Sequence, residues 1–358
     1  MRFAHFGDVH LGYHQYGLDQ RAQDIANAFL WVCNKVNEER CDFAILSGDL
    51  FHHRYVDPVS LSVASEGLRI INCPIYMIKG NHEKMRTAYE TDWIDYLVSE
   101  KLVILAEPTG VSFYMGEHCR QKDRRHNHYV TVFGVDWVGM ATDQIVSNLV
   151  IPSGFAGDFF ILMLHAGMED VLPKNHPGML SYETIRKFMD RVDYVALGHI
   201  HKPHLDGWIF NGGSLETIAS DEYKWPDRGL IVVDVNEDKS FTTQLHVPPR
   251  RSFFTHTPVK DGIPFDPRIL FKDAVVIVNG TQADVDFIKA NSDPLYIKLN
   301  LVKDEKRHVE VQPSLNKVTM ELDAIKQLTD LPSEKVLDMK GLKDGKEIWS
   351  TADKLYRA

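Results

Sequence analysis

From the N-terminus to about residue 200 the chain alternates short apolar runs with polar, helix-like stretches. "RFAHF" runs into Asp8 and His10, "DFAILS" into Gly48 and Asp49, and "IYMIK" into Gly80, Asn81 and His82. "FFILML" runs into His165, and "YVALG" into His199 and His201. Apolar runs of this length, bounded by glycine, predict strands buried on both faces, which read as continuous rather than alternating. Between them, residues 20–38 place Ile25, Phe29, Leu30, Cys33 and Val36 on one helical face. Residues 58–71 open with Pro58 and keep Leu61, Ala64, Leu68 and Ile71 in register. "SYETIRKFM" starts a third helix at Ser181, with Thr184 in its first turn. Strand–helix alternation of this kind predicts a layered α/β architecture.

Further along the pattern changes. "VSFY" and "YVTVFGV" predict a hairpin around the loop "MGEHCRQKDRRHNH". That loop sets Arg120, Lys122, Arg124 and Arg125 against Glu117 and Asp123, which suits either a solvated loop or a phosphate-backbone contact. The prolines of "HVPPRRSFF" close the strand-rich segment "GLIVVDV … FTTQLHV" and mark a boundary. Residues 1–247 then form the first domain. Residues 248–331 form a small α/β cap, with strand, turn and helix in "AVVIVNGTQADVDFIKAN" and strands in "LYIKLNLV" and "HVEVQP". Residues 332–358 are lysine-rich and weakly periodic, a tail or the start of a linker.

Composition narrows the class. With 358 residues, 44% of them apolar and 25% charged, the chain has the balance of an ordinary globular enzyme. No window approaches the run of about 20 apolar residues that a membrane span needs. "MRFAHFGDVH" breaks its apolar run at Gly7 and Asp8 and does not read as a signal peptide, so a cytosolic or nucleoid location is expected. Cys33, Cys41, Cys73 and Cys119 form no C-x-x-C pair and read as buried thiols, not a zinc-thiolate site. The net charge of −10 argues against a broadly basic surface, so any nucleic-acid contact must use local patches or bound cations.

In open α/β sheets, ligands bind beyond the carboxyl ends of the strands. Asp8, His10, Asp49, Asn81, His165, His199 and His201 all follow apolar runs, so those strand ends would bring them together. Singly, each short motif is weak, a turn or a stray histidine. In order, each behind its own apolar run, they stop looking like coincidence. Four imidazoles, two carboxylates and a carboxamide are too many for one tetrahedral zinc and suit two ions sharing a carboxylate. Two ions about 3.5–4 Å apart clamp an in-line phosphoryl displacement and activate water as the nucleophile. No serine-nucleophile elbow, Walker loop or dinucleotide fingerprint competes.

The ordered set "GDVH", "GDLFH", "GNHE", "LHAG" and "GHIH" resembles the calcineurin-like metallophosphoesterase superfamily. Within it, "FGDVHLGYHQYGLDQRAQDIANAF" and "SGDLFHHRYVDP" resemble the meiotic recombination 11 (SbcD-like) double-strand-break repair nucleases. The likeness is dense over about the first 220 residues and only architectural over the cap. Protein phosphatases of the superfamily continue Gly-Asp into Val-Asp-Arg-Gly, whereas Asp49 is followed by Leu50, Phe51 and His52.

The resemblance implies a β-sandwich flanked by helices, with a smaller α/β capping domain. It implies one ion on Asp8, His10, Asp49 and His201 and another on Asp49, Asn81, His165 and His199, bridged by Asp49. His82 takes the place of the catalytic histidine, and His52 that of a second histidine near the scissile phosphate. His53 and Arg54 suit either loop surface or DNA contacts. "NGGSLE", residues 211–216, falls where the family closes its site and is expected to give structural support. His14, His118, His126, His128, His176 and His204 read as solvent-exposed.

The implied activity is manganese-dependent DNA cleavage in double-strand-break repair: a 3′-to-5′ exonuclease on duplex ends and an endonuclease on single strands. The implied partners are DNA, a coiled-coil ABC-type ATPase of the SbcC kind and a second copy of the chain, with no membrane involved. Dimerisation would use "PVSLSVASEGLRII" and "ETDWIDYLVSE", with Leu61, Ala64 and Leu68 towards the core and Val63 towards the partner. The alternatives are a metallophosphatase or phosphodiesterase on a non-DNA substrate, and a non-catalytic DNA-end-binding subunit.

Overall fold

The computed structural model describes residues 1–84, 91–115, 129–152, 158–172, 175–256 and 272–301. The basic loop at 119–125, "HVEVQP" and the segment 332–358 lie outside the described residues, as do Cys119, His118, His126 and His128. Residues 1–300 form one compact unit.

Two six-stranded sheets carry the first unit. The first contains β1 (Arg2–Phe6), β2 (Phe43–Leu46), β3 (Ile75–Met77) and β4 (Ile104–Leu105), all parallel in that order. The second holds β5 (Val111–Tyr114), β6 (Tyr129–Val135), β7 (Phe159–His165), β10 (Tyr194–Gly198), β11 (His204–Asp206) and β12 (Ile209–Asn211). There β6, β7, β10 and β12 run parallel, with antiparallel β5 and β11 at the edges. β8 (Gly167–Met168) and β9 (Met179–Leu180) form a small separate pair. β13 (Leu230–Val235) returns antiparallel to β1 and carries β14 (Phe241–His246) on its outer side. Among the described residues, the strands read from the sequence, including β5 and β6 and β13 and β14, are where the apolar pattern put them.

Alternation along the strands explains the layers. Phe3 of β1, Phe43 and Ile45 of β2, Phe159, Ile161 and Met163 of β7, and Tyr194 of β10 meet in the core between the sheets. Their neighbours Ala4, Phe6, Ala44 and Leu46 face the opposite way, onto helices α1 (Asp19–Glu38) and α2 (Pro58–Ile70). Phe160, Leu162, Leu164, Val195 and Leu197 face the outer layer of the second sheet, with Val146 and Ile185 from two short helices. Both faces of each central strand are dry, so the apolar runs continue to the end of the strand, with buried His5 of β1 as an exception. Full burial of one such phenylalanine is worth about 1.5–3 kcal/mol relative to exposure.

Each helix has a local cause. Asp57 caps α2, its Oδ1 accepting from the Val59 and Ser60 N–H groups at 2.9 and 3.0 Å, ahead of Pro58 at the first helical position. Gly67 lets α2 approach α1, since a Cβ there would stand 2.3 Å from the Phe29 ring. α3 (Trp93–Ser99) starts with a capping box between Asp92 and Asp95. Ser181 caps the helix Tyr182–Arg186. One expectation needs correction. Val63 does not project clear of the core: it is half-buried against the cluster that holds Ala64 and Leu68. Ile70, seven residues on, lies on the same stripe and is half-buried there too, so the apolar face of α2 is wider than one heptad seam.

A three-stranded sheet follows, with β15 (Phe253–His256), β16 (Val275–Gly280) and β17 (Tyr296–Leu301). The helix Gln282–Asn291 lays Val285 and Ile288 on Val276 and Val278, a separate small core. Among the described residues no helix is long and apolar enough to cross a membrane. Cys33, Cys41 and Cys73 are buried.

The Asp57 cap gives a stability test. Asp57→Ala is expected to lower stability by about 1 kcal/mol in denaturant titrations. Partial burial works against the Asp57 carboxylate, but its hydrogen bonds with Ser60 and Val59 hold the pKa below the ordinary value. The cap is therefore at full strength above the unfolded carboxylate pKa of about 4 and fades as pH falls through the lower folded value. The gap between wild type and variant should close in acid; a gap independent of pH would contradict the assignment.

Candidate metal centre

β1, β2, β3, β7 and β10 deliver side chains to one point. Asp8 and His10 follow β1, Asp49 and His52 follow β2, and Asn81, His82 and Glu83 follow β3. His165 is the last residue of β7, and His199 and His201 follow β10. All seven candidate ligands are brought together, with His82 and His52 beside them. Asp8, His10, Asp49 and His199 take left-handed backbone angles, with φ of 48°, 59°, 53° and 83°. For residues other than glycine this costs roughly 1–3 kcal/mol each and persists where the surroundings over-determine it.

Asp49 sits at the middle. Its Oδ2 lies 3.4 Å from His165 Nε2, 3.7 Å from His10 Nε2 and 3.9 Å from His82 Nε2. His10 Nε2 and His201 Nε2 are 3.0 Å apart. On the other side, Asn81 Oδ1 lies 2.8 Å from His199 Nδ1 and 3.1 Å from His165 Nε2. Asp8 Oδ1 accepts from the His199 N–H at 2.9 Å, while its Oδ2 is buried with no hydrogen-bond partner. An orphaned carboxylate oxygen, facing ring nitrogens and a mixed nitrogen–oxygen donor set are what a divalent-cation site requires. Ligand atoms of Asp8, His10 and His201, and those of Asp8, Asp49 and His165, lie within 4.8 Å of one another. The residues present fit two divalent ions.

Burial and the charges of neighbouring groups shift the titration of these side chains. Burial, with the Asp49 charge beside it, pushes the Asp8 carboxyl up. Burial also opposes the Asp49 carboxylate, but His165, His10 and His82 hold its pKa well below the usual range. Burial works against a charged His165, yet Asp49 and Asp8 raise its pKa to about 9. Burial lowers His199 to about 4, with His165 adding to the effect, and drives His10 well below its ordinary value. The shifts at His10, His199 and Asp49 favour the forms in which these side chains ligate metal, whereas those at His165 and Asp8 favour the protonated forms, from which a bound cation would displace the proton.

The two catalytic candidates are tied to each other. His82 Nδ1–H donates to the His52 carbonyl at 2.5 Å, which turns Nε2 towards Asp49 Oδ2, 3.9 Å away. Burial, then the neighbouring His82 and His53, lower the His52 ring to about 3. Tyr13 stacks on His52 with centroids 3.9 Å apart and fixes its plane.

Residues outside the expected set support the site. Glu83 accepts from the N–H groups of Asp49, Phe51 and Gly80 at 3.0, 2.9 and 2.8 Å, joining the β2 and β3 loops. Burial and the nearby Asp49 raise Glu83 to about 8. His165 Nδ1–H donates to the Ser47 carbonyl at 2.7 Å, and beneath it buried His5 bridges Ser47 Oγ and Tyr194 Oη. His201 Nδ1 meets Glu222 Oε1 at 2.6 Å. "GNHE" contains Glu83 and could have flagged it, whereas nothing local marks His5 or Glu222. In "NGGSLE", Ser214 Oγ–H donates to Glu222 Oε2 at 2.8 Å. His14 and His176 are exposed, while His204 is half-buried in β11.

Gly80 is the tightest contact in this arrangement: a Cβ there would fall 2.0 Å from Asp49 Oδ1 and 2.6 Å from the Asp49 nitrogen. Gly80→Ala is expected to destabilise the metal-free chain by roughly 1–3 kcal/mol in chemical denaturation, the cost of overpacking. Unchanged stability would mean the β2 and β3 loops are not packed this closely.

Comparisons with known proteins agree with this geometry. The DNA double-strand break repair protein Mre11 of Archaeoglobus fulgidus is 32% identical over 225 residues, covering 60% of this chain and 48% of that protein. The proteins of the same name from Methanocaldococcus jannaschii and Methanococcus maripaludis are each 30% identical, over 252 and 254 residues. These alignments cover 65% and 66% of this chain and 62% and 64% of theirs, so the chain spans about half to just under two thirds of these relatives. The family model described as calcineurin-like phosphoesterase matches residues 1–203, which contain β1, β2, β3, β7 and β10 and every candidate ligand they position. The chain belongs to the calcineurin-like phosphoesterase family.

Proposed function

We propose that the protein is a dimetal DNA phosphodiesterase acting at double-strand breaks, a 3′-to-5′ exonuclease on duplex ends and an endonuclease on single strands. The observation that carries the reading is the Asp49 carboxylate, set within 3.9 Å of ring nitrogens from both halves of the ligand set. Asp8, His10, Asp49 and His201 would hold one divalent ion, and Asp49, Asn81, His165 and His199 the second, with Mn²⁺ as the ion assigned. Bound there, two such ions supply Lewis-acid polarisation of a phosphate and a nucleophile from water at neutral pH.

The chain's own residues do the rest. The Asp49 carboxylate is shared between the two halves. Glu83 holds the loop that carries Asp49, and His165 is oriented through the Ser47 carbonyl. His82, with Nδ1–H held by the His52 carbonyl, presents Nε2 towards the reacting phosphate and, as an imidazolium, would give its Nε2 proton to the departing oxygen and be left as the neutral ring. His52, held flat by Tyr13, contacts the phosphate beside it. "GDLFH" in place of the phosphatase Val-Asp-Arg-Gly pattern favours a diester over a monoester, and the three relatives named above are DNA break-repair proteins.

The same reading gives the protein an SbcC-type coiled-coil ABC ATPase as partner, a location with DNA inside the cell, and a cap over residues 248–331 that faces DNA. It also assigns a homodimer through α2 and α3, which offer the exposed side chains of Val59 and Tyr96 to a second copy.

Two assays test this. With Mn²⁺, the protein should degrade labelled duplex and single-stranded DNA and act poorly on a nucleotide monoester. Preference for the monoester would favour the phosphatase alternative, and binding without cleavage the non-catalytic one. His82→Ser should then cut DNA turnover by about 10²–10⁴-fold, the usual worth of a general acid–base group, with metal content unchanged. A loss under about twofold would remove His82 from the chemistry.

A further inference from the structure

Glu222 lies in a single helical turn, Glu222–Lys224, twenty-one residues beyond His201, and is 1% exposed. Both of its oxygens are fully engaged. Oε1 accepts from His201 Nδ1–H at 2.6 Å and from the Ala219 N–H at 2.8 Å. Oε2 accepts from Ser214 Oγ–H at 2.8 Å and from the Ile218 N–H at 2.9 Å. The Arg228 guanidinium, equally buried, stands 3.6 Å away and donates to Thr217 Oγ1, Ser214 Oγ and the carbonyls of Glu222 and Trp225. The loop from Ser214 to Arg228 is wound around this ion pair, and the pair ends on a candidate metal ligand.

The four candidate imidazoles are not held alike. His165 Nδ1 meets the Ser47 carbonyl, and His199 Nε2 the Pro177 carbonyl at 3.3 Å. His10 Nδ1 meets only His52 Nδ1, at 3.3 Å. Among the described residues, His201 is the one whose outer nitrogen is held by a carboxylate at hydrogen-bond distance. With its proton on Nδ1, His201 turns a bare Nε2 lone pair to the point that His10 Nε2 also faces. A carboxylate behind a ligating imidazole fixes its tautomer and plane and raises its basicity.

We propose that Glu222 is a positioning residue for one half of the metal centre, setting His201 so that the Asp8–His10–His201 side binds its ion tightly. The proposal rests on the dimetal reading given above. It assigns the two ions different dependence on the protein: removing Glu222 loosens one and leaves the other.

Mn²⁺ titration of the metal-free chain by calorimetry tests it. Glu222→Ala should weaken one ion by about 10–100-fold and change the other less than about threefold. A purely structural carboxylate would weaken both or neither. In a His201→Ala background the further loss of Glu222 should change that ion's affinity less than about twofold, because both variants remove the same interaction. Additive losses would show that Glu222 acts through the loop rather than through His201.

Nitrogen NMR of His201 gives a second readout without metal: the Nδ1–H form in wild type should give way to a mixture in the variant. If Glu222→Ala does not fold by circular dichroism, Glu222→Gln keeps the volume and carries the same expectation for the one ion. Wild type that binds no Mn²⁺ overturns the dimetal reading itself. Wild type that binds two ions beside an unaffected Glu222 variant overturns only this assignment.

Discussion

Two carboxylates, Asp8 and Asp49, are buried side by side where strands from both sheets end, facing imidazoles rather than lysine or arginine among the described residues. An ionised carboxylate taken out of water costs several kcal/mol unless it is paired. The imidazoles of His10, His165 and His201 answer part of that demand, but unequally. Burial pushes Asp8 up, while His165 and its neighbours hold Asp49 down. The unpartnered Oδ2 of Asp8 is what remains unpaid. Divalent cations between these groups would satisfy both acids and release the proton that Asp49 and Asp8 hold on His165 up to about pH 9.

The rest of the fold supports that arrangement. Parallel central strands in each sheet send their carboxyl ends to the same edge, and inter-sheet packing of Phe3, Phe43, Ile161 and Tyr194 fixes the two edges against each other. Glycine permits the last approach: Cβ atoms on Gly48 and Gly198 would fall 2.4 Å from His165 Nδ1 and 2.2 Å from the Ser47 carbonyl. Left-handed angles at Asp8, His10, Asp49 and His199 turn the chain immediately after the strands, at a local cost that the dry core offsets. Positioning is therefore a property of rigid strand ends rather than of long loops.

Much of this was legible in the sequence, for a physical reason. Strands buried on both faces are mostly apolar, so the polar residues after each run mark a strand end, and Asp8, Asp49, Asn81, His165 and His199 are those residues or lie within a few of them. The helices 19–38 and 58–70 were legible from their periodicity and from Pro58. What stayed hidden depends on tertiary contact. Glu222 is one acid among several, with Glu216, Asp221 and Asp227 close by in sequence, and its meaning comes from His201, folded back onto it. His5 looks like a polar lapse in an apolar strand until Tyr194 and Ser47 are found beside it. The wide burial of α2, which takes in Val63, follows from the sheet beneath it and not from the helix's own period. β15 pairs only with β16, some twenty residues later, and carries no alternation that reveals it.

The account stands or falls on Asp49 as the shared group. Elemental analysis of metal-loaded protein, wild type beside Asp49→Ala, with circular dichroism confirming the fold, addresses that directly. Two ions per wild-type chain and the loss of both in Asp49→Ala are the predicted result. A folded Asp49→Ala that keeps its full complement of metal would contradict it.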